Sequence, residues 1–319
     1  MTSEITLDDV REAAGRIRSI ARRTPVETSR GFDEAAGVRA LFKCENFQRG
    51  GAFKIRGASN FLFSLPAEDL CRGVVAYSSG NHAQAVTIAA RAAGTQATLV
   101  MPSDAPRSKM EATRAQGATI VAYDRQRESR ELIGARIAEE TGATLVPPFD
   151  HPWIIAGQGT AALELLDEVP DLDALIAPVG GGGLLSGCAI AAKGICPQIR
   201  IFGAEPELAK DTHLSFRAGR HIEIPAPPTI ADGLRATRPG EITFPILQRL
   251  AEDILLVTED EIKDTMRFLL ARLKILVEPS GAVAAAAVLH RKLPADVRSA
   301  GVILSGGNVD LDQLAGYLG

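Results

Sequence analysis

Cysteine, clustered positive charge and long uninterrupted apolar runs are all scarce in this 319-residue chain, and each scarcity removes a class of protein. The four cysteines (Cys44, Cys71, Cys188, Cys196) form no Cys-x-x-Cys pair and lack the density of a disulfide scaffold. Reduced, mostly buried thiols and a cytoplasmic location are the expectation. Lys+Arg number 35 against 39 Asp+Glu, a net charge of −4, with no basic tract to follow a phosphate backbone, so nucleic acid is excluded as a partner. The N-terminus carries Glu4, Asp8, Asp9 and Glu12 where an export signal needs an apolar core. The longest uncharged stretch, Ala174 to Ala192, is interrupted by Pro178 and by Gly180 to Gly183, so it reads as strand, glycine loop and helix rather than a membrane span. Low-complexity linkers and solenoid repeats are also missing.

What is present is average globular composition, 46% hydrophobic and 23% charged, in a chain long enough for about two domains at ~150 residues each. After an amphipathic helix from about Leu7 to Arg22, short β-branched runs alternate with alanine-rich helical stretches, the pattern of βαβ units on parallel sheets. One block pairs strands at Val74–Tyr77, Ala97–Met101 and Thr119–Ala122 with helices at Asn81–Ala93, Pro106–Gln116 and Arg127–Glu140. A second block places strands at Leu175–Val179, Arg200–Gly203, Ile254–Val257 and Gly301–Leu304. Two α/β units enclosing a cleft follow from this order.

Gly180-Gly-Gly-Gly183 lies between an apolar strand and a helical stretch, where backbone N–H groups and the helix dipole would cradle a phosphate. A flexible turn is the plain alternative. A dinucleotide fingerprint is another, since Gly181 and Gly183 fit its first two positions and Glu205 follows 22 residues after Gly183, although Ser186 stands at the third glycine position. Lys54 sits beside Phe53 in a polar, glycine-containing turn. A lysine desolvated in a cleft becomes an amine nucleophile suited to Schiff-base chemistry; in isolation it reads equally as a surface charge.

Four stretches in order, Gly51-Ala-Phe-Lys54-Ile-Arg-Gly57, Ser78-Ser-Gly-Asn-His82, Gly180-Gly-Gly-Gly-Leu184 and Ser305-Gly-Gly-Asn308, give a chain that resembles the fold-type II pyridoxal-phosphate enzymes. Within them it is most similar to the serine/threonine dehydratase and serine racemase branch, threo-3-hydroxyaspartate dehydratases included. The resemblance implies an α/β protein of two open twisted sheet domains with helices on both faces, tryptophan synthase β-like, and an active site in the interdomain cleft. Residues 1–50 and 145–319 would form a large cofactor-binding domain, and 51–144 a small, mobile substrate domain. It also implies pyridoxal 5'-phosphate, a small amino-acid substrate and a homodimer.

Carried over by position, Lys54 would hold the cofactor through its amine and later take the Cα proton. Phe53 would pack beside the ring, Asn81 would bond its phenolic oxygen, Gly180, Gly181, Gly182, Gly183 and Leu184 would bind its phosphate, Ser305 would face its nitrogen and Glu278 would lie nearby. A hydroxyl at Ser305 cannot stabilise a protonated ring as a carboxylate would, which favours β-elimination. Ser78, Ser79, Gly80 and His82 would bind the substrate carboxylate, and Ser79 would be the opposite-face proton donor of a racemase. Ser79 as a helix cap and Glu278 as a helix-start acid are the structural alternatives. Glu205, the Ala209 carbonyl and Asp211 would hold Mg²⁺ or Ca²⁺ with oxygen ligands, or form an acidic turn. Arg130 would receive a second carboxylate, pointing to threo-3-hydroxyaspartate beside threonine and serine, or pair on the surface with neighbouring acids. Ala236 stands where racemases carry a serine. With Ser305 only 14 residues from the end, a stand-alone catabolic enzyme is expected. A cysteine-synthase-like transferase would more often read Thr-Ser-Gly-Asn-Thr in the substrate loop, and a nicotinamide oxidoreductase would leave Lys54 and Ser305 unexplained.

Overall fold

The structure is a computed structural model describing residues 4–319 except Ser79, Pro106 and Arg125, with the side chains of Arg107, Ser108, Lys109 and Ala112 also outside the description. Ten strands form two sheets: β1 (Val26–Thr28), β2 (Arg39–Cys44), β3 (Val74–Tyr77), β4 (Ala97–Pro102), β5 (Thr119–Tyr123), β6 (Thr144–Leu145), β7 (Ala174–Pro178), β8 (Arg200–Pro206), β9 (Asp253–Val257) and β10 (Ser299–Leu304). The larger sheet runs β1-β2-β10-β7-β8-β9, parallel except for β1, and the smaller runs β5-β4-β3-β6, parallel throughout. Parallel strands need helices on both faces, so their residues are apolar on both sides. β7, Ala-Leu-Ile-Ala-Pro, is buried along its whole length.

The strand pairs expected from the sequence lie where the alternation puts them, with ends moved by a few residues. The first helix stops at Ile17, short of the expected Arg22. The helix expected from Arg127 begins at Arg130 because Ser129 accepts the Leu132 N–H and caps it. β1, β2 and β6 have no counterpart in the sequence reading. The thiols are less uniformly buried than expected: Cys44 and Cys188 are enclosed, Cys196 is half-buried and Cys71 is exposed on the helix Ala67–Arg72.

Three helices stack at two backbone-to-backbone crossings that only glycine permits. A Cβ on Gly157 would lie 2.7 Å from the Gly57 Cα, where the helix Lys54–Phe63 crosses the helix Pro152–Glu168. A Cβ on Gly187 would lie 2.1 Å from the Ile155 carbonyl oxygen, where Pro152–Glu168 crosses the helix Gly183–Ile195. The first helix begins with Lys54 and the third with the end of the glycine loop. The stack therefore sets the distance between the two.

Candidate active site

A cavity of about 460 Å³ opens where the C-terminal ends of the large-sheet strands face the smaller sheet, the usual position for a ligand in open α/β proteins. Residues 51–53 and 305–307 bring Lys54 and Ser305 to one wall: Ala52 and Gly306 form an antiparallel bridge, Phe53 N–H donates to the Ser305 carbonyl at 3.0 Å and Gly307 N–H to the Gly51 carbonyl at 2.9 Å. Lys54 Nζ lies 5.2 Å from the Phe53 ring centre and donates to the Pro148 carbonyl at 2.7 Å. Desolvation pulls its pKa down from the ordinary lysine value to about 8. A neutral amine is thus accessible near physiological pH, where a solvated lysine is almost wholly charged.

The helix that carries Lys54 is anchored by a charge network. Arg56 Nε and Nη2 meet the Glu45 carboxylate at 2.7 and 2.8 Å, Nη1 and Nη2 meet Glu164 at 2.8 Å each, and Lys43 Nζ meets Glu164 at 2.7 Å. Arg56, Lys43 and Glu45 are fully buried. Burial opposes the charges, but Arg56 holds Glu45 below the usual carboxylate range, and Glu45 with Glu164 holds Arg56 above the usual guanidinium value. Two cations and two carboxylates leave the cluster neutral, the arrangement in which buried charge is tolerable. Nothing in the linear spacing of Lys43, Glu45, Arg56 and Glu164 marks them as partners.

At the opposite wall, the glycine loop turns its amides inward. The Gly180 carbonyl accepts from Thr212 Oγ1 at 3.4 Å and the Gly181 carbonyl from Thr243 Oγ1 at 2.7 Å. Neither threonine lines the cavity, and C=O and N–H point oppositely across a trans peptide, so the Gly181 and Gly182 N–H groups face the cavity. Among the described residues, the N–H groups of Gly181, Gly182, Gly183 and Leu184 have no acceptor. A Cβ on Gly181 would sit 2.4 Å from the Phe149 ring, and Gly182 adopts φ +92°. Four unpaired amides at the start of the helix Gly183–Ile195 form an anion cradle.

Of the other residues singled out in the sequence, Phe53, Ser78, Gly80, Asn81, His82, Arg130, Leu184, Glu278 and Ser305 all line the cavity. Ser79 lies outside the described residues. The helix Asn81–Ala93 begins at the cavity, and Gly80, its cap, receives Ser78 Oγ on its N–H at 3.2 Å. Asn81 Nδ2 donates to Glu278 at 2.7 Å, and Asn308 Nδ2 donates to the Asn81 oxygen at 2.9 Å. Glu278 is both the first, capping residue of the buried helix Pro279–Leu289 and part of the cavity wall. The His82 ring is buried and, by desolvation and the nearby Lys54 charge, its pKa falls to about 3. It stays neutral and donates from Nε2 to the Val146 carbonyl at 3.1 Å. Arg130 stacks on Tyr77 at 5.7 Å and pairs with Glu131 at 2.8 Å. Tyr77, Phe149, Gln158, Arg235, Asp310 and Gln313 also line the cavity without having been marked by any motif.

Glu205, Ala209 and Asp211 lie apart from the cavity. Glu205 is buried at the end of β8 and accepts the Thr212 and His213 N–H groups at 3.2 and 2.8 Å. That position removes the ribose-binding role a dinucleotide fingerprint would need. Both Asp211 carboxylate oxygens are buried without a hydrogen-bond partner. Burial pushes Asp211 up to about 7, and burial with the Asp211 charge raises Glu205 well above the carboxylate range. Two adjoining buried carboxylates, one of them orphaned, suit a hard cation. Among the described residues, no group of three His, Cys, Asp or Glu side chains forms a metal-type cluster, so a further ligand would have to be a carbonyl such as that of Ala209 or water.

An amine of lowered basicity, an anion cradle and a ring-facing hydroxyl are used together by a cofactor that is at once aldehyde, phosphate ester and heterocycle; this two-sheet fold is that of a lysine-linked cofactor enzyme. The family model described as pyridoxal-phosphate dependent enzyme matches residues 17–306. The chain belongs to that family. It is 48% identical over 310 residues to the L-threo-3-hydroxyaspartate ammonia-lyase of Saccharomyces cerevisiae, covering 97% of this chain and 95% of the relative. The structure of maize serine racemase superposes with TM-score 0.94 at 46% identity, covering 98% and 96% of the two chains. A bacterial-type threonine deaminase structure, that of T.th., superposes with TM-score 0.89 at 43% identity, covering 96% and 99%. No helix among the described residues is long and apolar enough to cross a membrane.

Proposed function

We propose that the chain is an ammonia-lyase that eliminates water from a β-hydroxy amino acid, threo-3-hydroxyaspartate, threonine or serine, giving a 2-oxo acid and ammonia. The observation that carries this reading is the pairing of a Lys54 amine of lowered pKa with a hydroxyl, Ser305, rather than a carboxylate on the same wall. The names of the yeast ammonia-lyase and of the threonine deaminase agree with it. Pyridoxal phosphate fits the residues present: Lys54 for its aldehyde, Gly180 to Leu184 for its phosphate, Asn81 and Glu278 near its phenolic edge, Phe53 beside its ring and Ser305 at its nitrogen. Bound there, it supplies the electron sink that acidifies the substrate Cα–H.

Lys54, displaced from the cofactor by the substrate amine, is the base that takes the Cα proton as the β-hydroxyl departs as water. Ser78, Ser79, Gly80 and His82 receive the α-carboxylate at the start of the helix Asn81–Ala93, where N–H groups and the dipole favour an anion. Neutral His82 adds no charge that would raise the cost of protonating Lys54. The released enamine tautomerises and hydrolyses in water to the 2-oxo acid and ammonia. Arg130 would hold a second carboxylate, the feature that distinguishes hydroxyaspartate from threonine and serine. Mg²⁺ or Ca²⁺ at Glu205, Ala209 and Asp211 has a structural role. We take residues 51–144, with β6 at their edge, as the mobile substrate domain, and a cytoplasmic homodimer as the working form.

Racemisation is the second reading, favoured by the likeness to maize serine racemase and by Ser79 as a proton donor on the face opposite Lys54. It is weakened by Ala236 in the cavity wall, which offers the carboxylate no hydroxyl. Both are tested by supplying L-serine, L-threonine and L-threo-3-hydroxyaspartate separately to the wild type and to Lys54→Ala, measuring 2-oxo acid and the chirality of the remaining substrate. Lysine-dependent 2-oxo acid establishes the lyase. Substrate inversion without 2-oxo acid replaces it with the racemase.

A further inference from the structure

Residues 146–150, the segment that returns the chain from the smaller sheet to the helix Pro152–Glu168, touch every part of the site. The Val146 carbonyl accepts from His82 and the Pro148 carbonyl from Lys54, while Phe149 packs on Gly181 and Gly183. Asp150 reaches furthest. Its Oδ2 accepts the Glu241 N–H at 2.9 Å, and its Oδ1 accepts the Ile242 and Thr243 N–H groups at 2.9 and 3.2 Å. These are the orphan donors at the start of the helix Thr243–Leu250, which has no capping side chain of its own. The fully buried Thr243 then passes the constraint on. Its Oγ1 accepts the Gly240 N–H at 3.0 Å and donates to the Gly181 carbonyl at 2.7 Å, while Gly240 N–H also reaches that carbonyl at 3.3 Å.

We infer that Asp150 is a positioning residue for the anion cradle, acting through Thr243. With its carboxylate in place, the turn at 240–243 holds the Gly181 carbonyl away from the cavity, and the trans peptide keeps the Gly182 N–H turned into it. Without it, three N–H groups lose their acceptor, the turn relaxes, and the Gly181–Gly182 peptide can rotate, withdrawing a donor from the phosphate. Glycine at 182 leaves that rotation without steric resistance. The fit at Gly240, where a Cβ would lie 2.2 Å from Asp150 Oδ1, shows how closely the carboxylate is enclosed by the turn it holds.

The inference rests on Gly180 to Leu184 being the phosphate site. It is tested on apo-protein by titrating pyridoxal phosphate and, separately, inorganic phosphate, with affinity read from absorbance and from calorimetry, for the wild type, Asp150→Asn, Thr243→Val and Thr243→Ser. Loss of a side-chain cap corresponds to about a tenfold weakening of both ligands in Asp150→Asn and Thr243→Val. Thr243→Ser, which keeps the hydroxyl, restores wild-type affinity, a rescue that damage to packing would not show. Wild-type affinity in both Asp150→Asn and Thr243→Val overturns the positioning role while leaving the phosphate site intact. A wild type that binds neither ligand overturns the phosphate site and the inference with it.

Discussion

The two halves of the cavity are built to different standards. On the side of the larger sheet, Lys54 and the glycine loop stand on helices locked by glycine crossings, by the Arg56 network and by the Asp150 turn, with partners 90 or more residues distant in sequence. On the side of the smaller sheet, Ser78 bonds the N–H two residues on, and Arg130 pairs with the residue next to it. Long-range, buried constraints hold reacting groups to a fixed geometry; short-range ones leave side chains free to adapt. Cofactor handling belongs to the first half and substrate choice to the second.

The comparison breaks most sharply at Arg56. Replacing it with Met leaves Glu45 and Glu164 buried without their main partner, and a stability loss of about 3–5 kcal/mol is expected in urea unfolding. A loss no larger than that of an exposed ion pair would put the two halves on an equal footing.

Next in size is the cation pair, which tests whether the rigid half depends on a bound ion. Mg²⁺ or Ca²⁺ at about a hundred times its dissociation constant should stabilise the wild type by about 2.7 kcal/mol. Asp211→Asn should abolish the increment, and chelation should reverse it; a thermal shift that survives in the variant would locate the cation elsewhere.

The adaptable half is probed by Arg130→Ala. Turnover of threo-3-hydroxyaspartate should fall about ten- to a hundredfold, the value of a charge-assisted bond, with serine turnover unchanged. Equal losses on both substrates would remove Arg130 from specificity.

The smallest effect concerns pH. Because desolvation lowers the Lys54 pKa to about 8, its neutral fraction rises as pH increases through 8 and then levels off. Labelling of Lys54 in the apo-protein by an amine-selective reagent, followed by peptide mass mapping, should plateau there, whereas an ordinary lysine continues to gain reactivity to about pH 10.4. A Lys54 profile matching the ordinary one would contradict its desolvated setting.

Much of this architecture was legible in the sequence because parallel strands and their helices differ in period, and the four motifs fall in order along the chain. β2 escaped notice because Lys43 stands in it, and a charge in a central strand makes sense only beside Glu164. β1 and β6, three and two residues long, are too short to show alternation. Glu205 and Asp211 were visible as acids; that Asp211 lacks any hydrogen-bond partner was not. Phe149 and Asp150 carry no motif, since their meaning depends on the glycine loop and on a turn some 90 residues later.

Lys54 rests on the carbonyl of Pro148, a main-chain group. Exchange of the side chain at 148 leaves that oxygen in the chain, so the resting contact of the reactive amine is shielded from point mutation in a way that no side-chain partner is. A lineage can therefore vary Arg130, Tyr77 or Ala236 in search of new substrates while the group performing the chemistry keeps its resting place.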